Sequence, residues 1–214
     1  MSSRERILER LEKKAPAFKS YSRGPLSELL CAVPEGALWS SFAEKFSALH
    51  GELYQLNTCG EAAGKLLGLL NEVPGPIICQ QSPLLAELAA ANAELAERLD
   101  TALAPGSRTI ECAQAVCGIS AADALLASSG SILLRSSTAG GRRLSVLVPL
   151  HIVVATSVQF VRTSGEWLSA IAGDDSWSLA TIISGPSRTS DIEKTLVLGA
   201  HGPKRLALLV IEQG

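Results

Sequence analysis

From Leu53 to Cys112 the chain alternates short apolar runs with amphipathic segments long enough to cross a sheet, and this alternation constrains the fold more than any other feature. Leu53 to Leu56 reads as a short strand, Ile77 to Cys79 as the next and Arg108 to Cys112 as a third. Thr58 stands three residues before Glu61, the reciprocal capping spacing that opens a helix through Leu70. Ser82-Pro83 offers an N-cap with proline at the first helical position. Leu84, Leu88, Ala91, Leu95 and Leu99 then mark the buried face of one long helix, with Glu94 and Arg98 paired on its outer side. Parallel neighbours need crossovers of this length, whereas antiparallel neighbours do not. The predicted class is therefore α/β: a three-layer α/β/α domain with a mostly parallel sheet and helices on both faces.

The flanks are less regular. Ile7, Leu8 and Leu11 share one face of a charged helix over Arg4–Lys13, Pro16, Pro25 and Pro34 make residues 15–34 irregular, and Trp39, Phe42, Ala43, Phe46 and Leu49 follow helical spacing. Residues 1–50 are expected to form an N-terminal helical arm packed on a main domain of residues 51–214. In the middle, Ser120 with Asp123 at the N3 position predicts a helix from Ala121 to about Ser128. Ser131–Arg135, Leu144–Val148 and His151–Thr156 read as antiparallel strands inserted into, or edging, the sheet. Ser164 predicts a helix with Trp167, Leu168 and Ile171 inward, and Leu206–Ile211 reads as the last strand.

Composition narrows the function. The 214 residues can bury a full core, and 47% hydrophobic against 19% charged residues describes a globular chain. A net charge of -2 leaves no footprint for nucleic acid, and no basic block suits a membrane surface. Residues 1–14 are charged throughout, unlike a secretory signal or membrane span, so a cytoplasmic chain is expected. Five cysteines without a C-x-x-C pair, and three isolated histidines, predict no metal site and no cofactor bound by this chain. No P-loop or G-x-G-x-x-G is present, and Gly185-Pro-Ser-Arg-Thr lacks the second glycine of a nucleophile elbow.

The densest cluster of reactive residues lies in TIISGPSRTSDIEKTLVLGAHGP, residues 181–203. An apolar run ends at Gly185-Pro186, and Ser190 precedes Glu193 at capping spacing with Asp191 in the first turn, which predicts strand, tight loop and helix N-terminus. Backbone N–H groups there, with Gly185, Ser187, Arg188, Thr189 and Lys204, suit a small anion; a solvated polar loop and an ordinary helix cap account for the same pattern. Gly130-Ser131 and Gly140-Gly141-Arg142-Arg143 admit either a second anion loop or a hairpin turn with solvated arginines. For proton transfer the candidates are His201, Glu193 and Asp191, while His151, inside an apolar run, reads as a hydrogen-bonded core histidine.

Four stretches, ADALLASSGSILL at 122–134, GRRLSVLVPLHIVV at 141–154, SGPSRTSDIEKTLVLGAHGPKRL at 184–206 and the ending LALLVIE, together resemble the lactate-utilisation protein C family, LutC/YkgG, which carries a LUD domain. The resemblance implies a fold like that of the NagB, ribose-phosphate isomerase and CoA-transferase group. It implies a cluster-free subunit of a system that oxidises L-lactate to pyruvate, with iron-sulphur clusters on partner subunits, and it transfers no settled catalytic residue. The alternative, by fold analogy, is a free-standing enzyme acting on a phosphorylated or acyl/CoA-type substrate. Assembly with a second copy, through the Ile7 helix or the Trp39 face, is left open.

Overall fold

Five strands run parallel in one sheet, the inner ones almost wholly buried: β1 (Glu52–Leu56), β2 (Ile77–Cys79), β3 (Cys117–Ala121), β6 (Leu150–Thr156) and β11 (Arg205–Ile211). Their order is β1-β11-β6-β3-β2, with Leu206, His151 and Gly118 in register across the three inner strands. The computed structural model describes Arg4 and residues 33–104, 106–107, 109–135, 143–174, 176–177, 179–190, 196–199 and 202–213. Apart from Arg4, these lie in the unit Ala32–Gly214; Met1–Cys31 forms a unit of its own, and the helix expected over Arg4–Lys13 lies outside the described residues.

Helices cover one face. In α2 (Cys59–Asn71) the Glu61 N–H donates to Thr58 Oγ1 at 3.1 Å, and the Glu61 carboxylate accepts from the Asn57 N–H at 2.8 Å, so the expected cap forms with its return arm one residue early. Ala62, Ala63, Leu66 and Leu70 pack against Ile77, Ile119, Ile152 and Leu209. The long helix predicted after Ser82 is two helices, α3 (Pro83–Ala91) and α4 (Ala93–Asp100). Asn92 breaks it: its backbone is extended (φ -150°, ψ 112°) and its Oδ1 accepts from the Leu95 N–H at 3.0 Å, the role in which asparagine beats a helix interior. Arg98 is not paired with Glu94; it donates to the Gly75 carbonyl at 2.6 Å.

The other face is only partly helical. Helix α1 (Leu38–Ala48) sets Phe42 and Phe46, ring centroids 5.4 Å apart, on Val153, Leu208 and Val210. Beside it stands a second sheet of order β7-β4-β5-β8, made from β4 (Ala124–Leu126), β5 (Ser131–Arg135), β7 (Phe160–Val161) and β8 (Ala180–Ile183). The antiparallel pairs thus stack on the parallel sheet and are not inserted in it, and His151–Thr156 belongs to inner strand β6. The helix predicted from Ala121 is absent. Ser120 lies within β3, bonded to His151, and Ala124–Leu126 is buried on both sides between layers, an environment for a strand. Arg108–Cys112 and Leu144–Val148, predicted as strands, contain instead the helical turns α5 (Thr109–Cys112) and α6 (Arg143–Val146), whose Cys112 and Leu144 close over Ile78. In α7 (Ser164–Ala170) the cap is Thr163, one residue before the predicted Ser164; Trp167 is buried, but Leu168 faces outward.

Arg188–Ser190 forms β9, which pairs antiparallel with β10 (Leu196–Leu198). The helix expected to start after Ser190 falls on residues 191–195, outside the described residues. No described helix is long and apolar enough to cross a membrane.

Candidate functional site

The GPSR and GxHGPK blocks do meet. The Ser187 N–H donates to Pro203 O at 2.8 Å and the Gly199 N–H to Ser187 O at 3.0 Å, which ties the two blocks into one unit. Both Lys204 and Arg205 donate N–H groups to Pro149 O, at 2.8 and 3.1 Å, so this unit sits where β6 and β11 begin, at the amino edge of the parallel sheet. Gly199 is required there: its φ is 77°, and a Cβ would lie 2.3 Å from Lys204 Cγ. Val146–Pro149 form the opposite wall of a pocket of about 370 Å³ lined also by Gly199, Gly202 and Lys204. Lys204 is exposed and has no ion pair among the described residues.

The remaining loop residues converge on the carboxyl end of α1. Arg188 Nη2 donates to Leu49 O, close to the end of the helix where a cation is favoured. A Cβ on Gly185 would stand 2.8 Å from the same carbonyl, and one on Gly130 (φ 63°) 2.5 Å from Phe46 N. Ser131 Oγ and Ser184 Oγ are hydrogen-bonded at 2.9 Å. The two predicted loops are therefore adjacent at Gly130-Ser131 and Ser184-Gly185, where the glycines serve close packing on α1. Arg142, Asp191, Glu193 and His201 lie outside the described residues, as do the side chains of Arg143 and Thr189.

A second concavity, absent from the sequence reading, opens at the carboxyl edge, where ligands of open α/β sheets usually bind. Residues at or just after the ends of β2, β3, β6 and β11 line about 410 Å³: Gln80, Ala121, Thr156 and Gln213, joined by Asp123, Gln159 and, from α3, Glu87. Gln80 is 4% exposed, and its Oε1 accepts the Ala121 N–H at 2.8 Å. Gln159 Oε1 accepts the Thr156 N–H at 2.7 Å, and its Nε2 donates to Ala122 O. Asp123 accepts from both N–H and Nε of Arg135 at 2.7 Å. An adjoining hollow of about 330 Å³, walled by Leu85, Ala89 and Leu99, lies across Gln80 and Ser82. The signal that could have found this site is positional: a polar side chain follows or ends each buried strand.

His151 is the core histidine expected. It is fully buried on β6, its Nε2 is 2.9 Å from Ser120 Oγ, and Nδ1 has no partner. Burial pushes its pKa down to about 3, so the ring is neutral. Among the described residues no group of three or more His, Cys, Asp or Glu could hold a metal.

The parallel sheet with its stacked antiparallel partner defines an α/β domain, and its relatives identify which one. The LUD domain profile matches residues 40–211, and the chain belongs to the LUD domain family. It is 25% identical to lactate utilization protein C of Exiguobacterium over 99% of this chain and 96% of that protein. It is 38% identical to lactate utilization protein C of Halalkalibacterium halodurans, and equally to the uncharacterized protein YkgG of Escherichia coli, over about half of each chain. These matches bear out the LutC/YkgG resemblance read from the sequence. A DUF162 family protein from Deinococcus radiodurans, known from a crystal structure, shares the fold with a TM-score of 0.63 at 18% identity, over 84% of this chain and 99% of that one.

Proposed function

We propose that this chain is a cluster-free subunit of a system that oxidises L-lactate to pyruvate, with the iron-sulphur clusters on partner subunits. Family membership and the names of the relatives support that reading. Within the subunit, a small anion is held where the GPSR and GxHGPK blocks join. The observation that carries this site is the Ser187 to Pro203 bond, which brings Lys204, a cation with no described ion pair, beside Gly199 and Gly202. Arg188 orders the loop through Leu49, and Asp191, Glu193 and His201 remain the proton-transfer candidates.

The test is a thermal-shift titration with lactate, pyruvate and inorganic phosphate on the wild type and on Lys204→Ala. A ligand at about a hundred times its dissociation constant adds roughly 2.7 kcal/mol to stability, and that gain should vanish in the variant. Equal shifts in both proteins would remove the pocket from the proposal. Co-purification with cluster-bearing partners, and loss of lactate oxidation on deletion, test the subunit role. Turnover of a phosphorylated or acyl substrate by the isolated chain would favour the free-standing enzyme instead.

A further inference from the structure

We propose that the carboxyl-edge cleft binds an uncharged ligand carrying neighbouring hydroxyl groups, at a site separate from the anion pocket. The proposal rests on nothing in the lactate reading. It starts from Gln80. Because the Ala121 N–H can be accepted only by an oxygen, the orientation of the Gln80 amide is fixed, with Oε1 inward. Its Nε2 is left with no hydrogen-bond partner among the described residues, on a side chain 4% exposed that lines both hollows. The Nε2 itself reaches solvent in the cleft, so its donor is available there to water or to a bound acceptor.

Charge then selects the ligand. Among the described residues the lining includes Glu87 and Asp123 and no Lys, Arg or His, which disfavours a phosphate or carboxylate. Asp123 is already matched by Arg135, so the cleft offers a cation only Glu87, which has no described partner. A single exposed carboxylate holds a cation weakly. What the wall does offer is a carboxylate that accepts two O–H groups and an amide N–H that donates, beside the Ser82 and Thr156 hydroxyls that cap Leu85 and Gln159. That set matches a vicinal diol, in the way an acidic residue beside strand ends holds ribose hydroxyls. The apolar hollow beyond Gln80 gives room for a flat group attached to the diol.

Adenosine, D-ribose and 2′-deoxyadenosine test this by calorimetry on the full chain. Adenosine and ribose should bind saturably, and 2′-deoxyadenosine about tenfold more weakly or not at all. Glu87→Ala lies on an exposed helix face and should weaken adenosine about tenfold without changing the circular dichroism. Gln80→Glu keeps the acceptor for Ala121 and removes the donor, with the same expected loss; if it fails to fold, Glu87→Ala decides. Lys204→Ala should leave adenosine binding unchanged, which separates this site from the anion pocket. Equal affinity for adenosine and its deoxy analogue, binding indifferent to Glu87→Ala, or no saturable binding of either hydroxylated probe to folded protein would each overturn the proposal.

Discussion

His151 shows how much one side chain can set. With its native pKa pushed down to about 3 by burial, it is neutral in the folded protein, whereas an unfolded histidine titrates near 6.5. Above about pH 6.5 both states are neutral and the residue contributes no pH dependence. As pH falls from there toward 3, the unfolded chain binds a proton that the native state refuses, so stability declines, by about 4 to 5 kcal/mol across the whole window. Urea denaturation at a series of pH values should show this loss, and His151→Leu should flatten it. An unchanged slope in the variant would mean that other groups set the acid sensitivity. The same residue explains why a hydroxyl sits in an apolar strand: Ser120 gives Nε2 its only described partner, and its capping spacing with Asp123 is incidental.

At the scale of elements, helix boundaries depend on single caps. Asn92→Ala removes the acceptor of the Leu95 N–H and should cost about 1 kcal/mol, read as a lower denaturation midpoint at constant slope. A loss near zero would show that tertiary packing alone sets the break between α3 and α4. Bounded runs were legible in the sequence. The Trp39 to Leu49 helix, β1, α2, β2, β5 and β11 carried either helical periodicity or a bounded apolar run. The strand β4 was not legible, because its three residues are buried on both faces and show no alternation. Capping spacing misled at one position. Thr58 is followed by a strongly periodic run, and the signal there was right; Ser120 stands inside β3 and is followed by β4, and local chemistry lost to strand pairing. The loop after β8, expected at the carboxyl edge of the main sheet, lies at its amino edge, because β8 runs antiparallel to β5 in the second sheet. The carboxyl-edge cleft was missed because Gln80, Glu87, Thr156, Gln159 and Gln213 are neutral or isolated and far apart in sequence.

For the whole molecule, the inner strands report on cooperativity. Cys117 on β3 is fully buried, and burial pushes its thiol up to about 12, so the reactive thiolate is scarce at neutral pH. Its alkylation by iodoacetamide should proceed only as fast as the protein unfolds globally; fast labelling at native circular dichroism would show that the sheet opens between β2 and β6. The strand order has a further effect during synthesis. β11 lies between β1 and β6 and is the last of the described strands to leave the ribosome, so until it arrives β1 has no neighbour in its sheet and β6 has one bare edge. A nascent chain carrying every other described strand therefore exposes at once the two backbone edges that β11 later covers, the kind of surface that chaperones shield and that stalled translation would leave open to aggregation.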